Sequence, residues 1–206
     1  VLGYQSFFNP PQEIALMEAL YFDAHRLGAV TADIKDVEPI FRNADLVSMD
    51  ISSIKSAELG SYNKENPNGF DGREICAISR YAGISNKVSS FSLFEITDFT
   101  NSRSGAMLLA QVLWYFIEGV NFRVSDDDFM DLKHYTTYKV PIDNEVLIFK
   151  KSNKTGRWWI ELPFISNIDN KLKSSTLLPC TYGEYLGATN QEIPERWLKA
   201  RRKNEV

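Results

Sequence analysis

Apolar and polar residues form two kinds of block along the first 122 residues of the chain. Short apolar runs at residues 2–8, 46–49 and 88–96 predict buried strands. The segments between them repeat apolar residues every three or four positions, which predicts helices at residues 12–28, 32–43, 72–81 and 104–119. Strands that alternate with helices predict an α/β fold. We expect a mostly parallel sheet with helices on both faces, a three-layer α/β/α sandwich.

The pattern changes after residue 122. An acidic connector leads to three β-rich runs at residues 138–142, 145–152 and 157–164. The loop between the last two runs contains Asn, Thr and Gly, which predicts a β-hairpin. Pro194 begins a final helix. We therefore predict an α/β domain at residues 1–122 and a small β-rich C-terminal extension at residues 123–206.

Composition narrows the classes of partner. The net charge is -4 and the sequence pI is about 5.3, so we expect no nucleic-acid partner. The longest apolar run, residues 106–117, is too short to cross a bilayer and predicts a buried core helix rather than a membrane span. Only two cysteines occur, which favours a reducing, cytoplasmic location over a disulfide-stapled secreted domain.

Two acids follow two of the predicted strands. Asp50 ends the strand at residues 46–49, and Glu95 lies at the end of the strand at residues 88–96. Open α/β sheets bind ligands beyond the carboxyl ends of their strands, so these acids mark a candidate site. For Glu95 a structural role remains open, as a strand-end acid bonded to nearby backbone.

The segments around these acids carry a resemblance. Residues 48–52 (SMDIS), 69–74 (GFDGRE) and 94–96 (FEI) are similar, in order and spacing, to motifs of the arginase, agmatinase and formimidoylglutamase superfamily. Residues 2–4 (LGY) and the helix from residue 104 fit the same scheme. The divergent formimidoylglutamase-like branch is the most similar. The resemblance covers residues 1–122 and implies the C-terminal half of that fold.

The resemblance implies a chemistry and a cofactor. The superfamily hydrolyses linear C–N bonds of guanidino or formimidoyl groups with two Mn²⁺ ions that activate a bridging water. It implies that Asp50 is a metal ligand and that Glu95 binds the substrate. Ser52, however, occupies the position of a second aspartate ligand. A neutral hydroxyl replaces a carboxylate poorly when two divalent ions must share it.

These departures set our functional expectations. The remaining metal ligands belong to the N-terminal half of the fold, and the chain starts without Met in a strand-like segment, so we expect a piece of a longer protein. We expect it to bind no Mn²⁺ and to be inactive alone. Its expected partners are the N-terminal half of its own fold, further copies in a homo-oligomer, and a small amidine substrate. The alternative is a non-catalytic scaffold, binding or oligomerisation module of the same fold.

Asp23-Ala24-His25 matches the start of a metal motif of the same superfamily. The spacing predicts that the triplet lies late in an amphipathic helix, and Leu27 stands where the motif has an aspartate. We therefore reject this triplet as a metal site.

Trp158 and Trp159 lie among basic residues. Such a pair either stacks on bases or sugars, or anchors a hairpin onto a neighbouring domain. The acidic composition favours packing.

Overall fold

The computed structural model describes residues 1–60, 66–96, 103–126, 132–143, 145–162 and 177–205. Residues 127–131 of the acidic connector and the last two residues of the predicted run at 157–164 lie outside this part. The chain divides into two compact units, Val1–Arg123 and Val124–Val206.

The first unit is a mixed α/β structure with parallel strand pairs, as predicted. β1 pairs with β2, and β3 pairs with β4, both in parallel. In chain order the elements are β1 (Leu2–Tyr4), α1 (Pro11–Ala19), β2 (His25–Arg26), α2 (Leu27–Ala32), α3 (Glu38–Phe41), β3 (Leu46–Asp50), α4 (Ser56–Leu59), α5 (Gly72–Ile84), β4 (Ser90–Phe94) and α6 (Arg103–Asn121).

Helices α5 and α6 pack closely against each other and form the core with β3 and β4. At their contact, a Cβ atom added to Gly83 would lie 2.2 Å from the Phe116 carbonyl oxygen, and one added to Gly119 would lie 2.4 Å from that of Arg80. Only glycine therefore permits this approach. The Phe116 ring also stacks on Phe91 of β4, with centroids 4.5 Å apart. The core of this unit thus depends on small residues where the helices meet.

The outer side of α6 is exposed, contrary to the prediction of a wholly buried core helix. Met107, Trp114 and Ile117 recur at seven- and three-residue spacing on this side, and Trp114 is 57% exposed. We call these three residues the outer stripe of α6. The apolar run therefore serves two faces, one of which has no cover among the described residues. No helix in the described ranges is long and apolar enough to span a membrane.

The helix predicted at residues 12–28 is shorter in the structure. It begins at Pro11 and ends at Ala19, and Tyr21 adopts a positive φ of 54° that turns the chain. The next residues form β2, where the His25 amide donates to the Val1 carbonyl. Strand pairing therefore overrides the helical spacing. None of the residues of α1 is buried, so the predicted apolar face of this helix is not part of the described core.

The second unit contains an antiparallel sheet, in the order β5-β6-β7-β8. The predicted hairpin is confirmed, because β6 and β7 pair antiparallel with Lys151 opposite Trp158. The sequence patterns missed the fourth strand and the helix that follows it. The elements are β5 (Tyr135–Ile142), β6 (Glu145–Ser152), β7 (Trp158–Glu161), β8 (Leu177–Cys180), α7 (Tyr182–Thr189) and α8 (Glu195–Glu205).

Aromatic residues fill the core of the second unit. Phe149 and Ile160 are fully buried from solvent, and the buried Trp197 donates its indole N–H to the Glu161 carbonyl at 3.0 Å. Trp158 and Trp159 are 6% and 4% exposed. The prediction that this pair packs, and does not stack on bases or sugars through both rings, is confirmed. Among the described residues, the rings that it contacts include Tyr135, Tyr138 and Tyr185 of the same unit, and not those of a neighbouring domain as predicted.

Candidate functional site

The two acids picked out by sequence lie at neighbouring strand ends. Asp50, the last residue of β3, is in register with Phe94, the last residue of β4. Glu95 follows directly, and its φ of 59° lies in the left-handed region, which a non-glycine residue adopts at a cost. Both acids are exposed. The parallel pairing thus brings Asp50 and Glu95 to one edge of the strand pair, as the patterns predicted.

The Asp50 carboxylate is engaged by Ser52, which we expected to stand in place of a second aspartate ligand. Its Oδ1 atom accepts hydrogen bonds from the Ser52 amide at 2.8 Å and from the Ser52 hydroxyl at 2.7 Å. The Ser53 hydroxyl donates to the Asp50 carbonyl at 2.6 Å. Asp50 therefore caps the short 3-10 turn Ile51–Ser53, a common use of aspartate at a helix start.

A second chain segment closes over this turn. The Asn66 side-chain amide donates to the Ser52 carbonyl at 2.7 Å, and the Phe70 amide donates to that of Ser53 at 2.8 Å. A Cβ atom at Gly69 would lie 2.5 Å from the Ser53 carbonyl oxygen. Gly69, the first residue of the GFDGRE segment, is therefore required for the close approach of these two backbone segments.

The rest of that motif begins helix α5. Asp71 accepts from the Glu74 amide at 2.9 Å, and Glu74 accepts from the Asp71 amide at 2.8 Å, which is a complete capping box. A first-turn acid also interacts favourably with the helix dipole. Glu74 thus holds the start of the helix.

The Asp23-Ala24-His25 triplet does not lie in a helix, contrary to the prediction. Asp23 and Ala24 follow α1, and His25 belongs to β2. The triplet therefore lies at a strand, although Leu27 still stands where the superfamily has an aspartate.

The ligand set can be tested against the implied manganese pair. In the residues described, no group of three or more His, Cys, Asp or Glu side chains lies close enough to hold a metal ion. At the strand ends, one carboxylate oxygen of Asp50 already accepts two hydrogen bonds. Two divalent cations need more negative charge than this set provides. The described residues by themselves do not fit a binuclear manganese site.

Comparison with known proteins identifies the fold. The sequence matches no protein-family profile and no curated protein. The solved structures that match at a TM-score of 0.51 include Trypanosoma cruzi formiminoglutamase with Mn²⁺, at 15% identity over 56% of this chain, and Bacillus subtilis formimidoylglutamase, at 18% over 59%.

The fold is formimidoylglutamase-like. This confirms the predicted resemblance in fold for about half of the chain. The chain spans only about two fifths of the length of these enzymes, 42% and 41% respectively. Identities of 15–18% establish similarity of fold alone and carry no activity over to this chain.

Sequence patterns also missed a cleft in the second unit. It has a volume of about 430 Å³, and its walls come from β5, β6, β7, the loop before β7 and α7.

 The lining residues of the cleft are Tyr138, Lys151, Gly156, Trp158, Tyr182 and Tyr185. The signal in the sequence was the pair of tyrosines three residues apart in YGEY, which places both on one side of α7.

Proposed function

We propose that the first unit is a formimidoylglutamase-like scaffold that does not hydrolyse amidines by itself. The observation that carries this proposal is the pair of hydrogen bonds from Ser52 to Asp50. They give the carboxylate a structural role in the turn after β3. A cytoplasmic location belongs to the same proposal and is supported by Cys76 and Cys180, which are both buried and form no disulfide.

The physical reason concerns the nucleophile. Amidine hydrolysis at neutral pH needs a water whose pKa is lowered, and paired metal ions lower it when several carboxylate and imidazole ligands hold them. Asp50 with Ser52 supplies one negative charge at this position. Among the described residues, these strand ends therefore offer no metal site that would activate water.

A hydrolase is the second candidate, and the strand ends support it. Asp50 ends β3 opposite Phe94 of β4, and Glu95 follows Phe94, so both acids lie at the edge where α/β folds bind ligands. In this proposal Asp50 is a metal ligand and Glu95 binds the amidinium of a small substrate. The missing ligands then come from the rest of the fold.

We also propose that the rest of the fold is the partner that covers the outer stripe of α6. The chain spans about two fifths of the matched enzymes, and Met107, Trp114 and Ile117 expose a continuous apolar side. Apolar surface of this kind is typical of an interface. Light scattering of the purified chain tests this against a homo-oligomer. The proposal predicts a monomer that binds a hydrophobic dye, and weaker dye binding by the Trp114→Ser variant. A stable oligomer that Trp114→Ser dissociates would instead assign the stripe to a second copy of the chain.

Activity assays separate the scaffold from the hydrolase. The purified chain is incubated with Mn²⁺ and either formimidoylglutamate or arginine, and product release is measured. We expect no turnover above a sample lacking protein. Turnover that Asp50→Asn abolishes would overturn the scaffold proposal and support the hydrolase.

A further inference from the structure

The aromatic cleft of the second unit is lined by a compact cluster of rings. Trp158 and Tyr185 stack with centroids 4.7 Å apart and planes at 24°, and the Tyr182 ring lies 5.4 Å from Trp158 and 5.9 Å from Tyr185. Tyr138 packs against both Trp158 and Tyr185, at 5.1 and 5.2 Å. Because these rings pack against one another before a ligand arrives, binding costs the protein little side-chain entropy.

The position of Lys151 decides the charge of the ligand. Its ammonium nitrogen lies 5.7 Å from the centre of the Trp158 ring, where a cationic ligand would bind. The cleft thus already holds a cation on its aromatic wall. A neutral or acidic ligand fits this arrangement, and a quaternary ammonium does not.

The ring packing decides the shape of the ligand. Sugars and bases stack on open ring faces, but Trp158 is buried, with Tyr185 stacked on it and the Lys151 ammonium over its ring. Tyr182, 54% exposed, is the most accessible ring of the cleft, and nothing lies within 4 Å of a Cβ atom placed at Gly156, which also lines it. A polyproline II helix suits such a surface, because it is stiff and its carbonyl groups are free to accept hydrogen bonds.

We propose that this cleft binds an extended, proline-rich peptide that carries an acidic residue. Proline rings pack against the edges of Tyr138, Tyr182 and Tyr185, and tyrosine hydroxyls donate to the peptide carbonyls. Lys151 pairs with the acidic side chain. This inference concerns the second unit and is independent of the proposed scaffold role of the first.

Peptide titration of the full chain tests the proposal. The probe is a proline oligomer with one central glutamate, followed by tryptophan fluorescence, and an alanine oligomer with the same glutamate is the comparison. We expect saturable binding of the proline probe only. Tyr182→Ala should weaken it about tenfold, while Leu186→Ala on the same helix leaves it unchanged. A second proline oligomer with lysine in place of the glutamate should bind more weakly. Lys151→Ala should remove this difference between the two probes, and Lys154→Ala should retain it.

Several results would overturn the proposal. These are no binding of the proline probe, equal binding of the alanine oligomer, or binding that Tyr182→Ala does not change. Displacement of the probe by an oligosaccharide or oligonucleotide would assign the cleft to another ligand. Circular dichroism of each variant measures folding. Because Tyr182 is 54% exposed, we expect its truncation to leave the fold intact.

Discussion

The Ser52 hydroxyl donates a 2.7 Å hydrogen bond to the Asp50 carboxylate, and the Ser52 amide donates a second at 2.8 Å. Ser52, which we expected to stand in place of a second aspartate ligand, therefore engages Asp50, the residue that we expected to be the first. A second aspartate at position 52 would place a like charge where a donor now lies.

Substitution of Ser52 tests this relationship. Ser52→Ala removes only the hydroxyl bond and should lower the free energy of unfolding by about 0.5–1.5 kcal/mol, toward the lower end at this exposed site. Ser52→Asp should lower the melting temperature further in EDTA because two carboxylates repel. Added Mn²⁺ should restore part of that loss in Ser52→Asp alone. An equal Mn²⁺ response in the unsubstituted chain would contradict this account.

Glycines at the contact of α5 and α6 give a second prediction. Gly83→Ala places a methyl group against the Phe116 carbonyl and should destabilise the first unit by about 1–3 kcal/mol. Gly28→Ala is the matched control, since nothing lies within 4 Å of its added Cβ and alanine favours its helix. Chemical denaturation measures both. Equal stability of the two variants would show that the helices separate without cost.

A buried ion pair gives a third prediction, for the second unit. Asp126 and Arg157 lie 3.3 Å apart with side chains only 3% and 11% exposed, and the Thr155 hydroxyl also donates to Asp126. Arg157→Ala leaves a buried carboxylate without its cation and should cost about 3–5 kcal/mol. Lys154→Ala, on the same loop, should change little. Tryptophan fluorescence during denaturation reports on this unit, and an unchanged midpoint in Arg157→Ala would refute the prediction.

Burial raises the pKa of the Cys76 thiol above its ordinary value. Because the folded state favours the neutral thiol, its contribution to stability is complete below the unfolded pKa of about 8.5 and is lost as pH rises past it. Thiol-reagent kinetics at increasing pH check this. Labelling of Cys76 should be slower in the native chain than in denaturant, and Cys76→Ser identifies its share. Equal rates in both states would contradict the burial.

Local patterns predicted the parts of the fold that depend on local chemistry. The helix that begins at Gly72, the β6–β7 hairpin and the paired strands β3 and β4 follow from residue types at fixed spacing. The helix predicted through residue 28 failed because pairing of β2 with β1 is a long-range contact that spacing does not reveal.

The candidate site was predictable in position and less so in its bonding. Strand order alone placed Asp50 and Glu95 at one edge. That Ser52 donates to Asp50, and that Asn66 closes the turn, depend on backbone geometry that the sequence does not show. The aromatic cleft was missed because its residues come from three strands and a helix that the patterns did not bring together.

Manganese stoichiometry tests the central claim most directly. The purified chain is equilibrated with excess Mn²⁺, passed through gel filtration, and its metal content is measured by mass spectrometry. The scaffold account predicts no stoichiometric manganese, because Asp50 with Ser52 does not supply the charge that paired cations require. Retention of two manganese ions per chain, lost in Asp50→Asn, would contradict it.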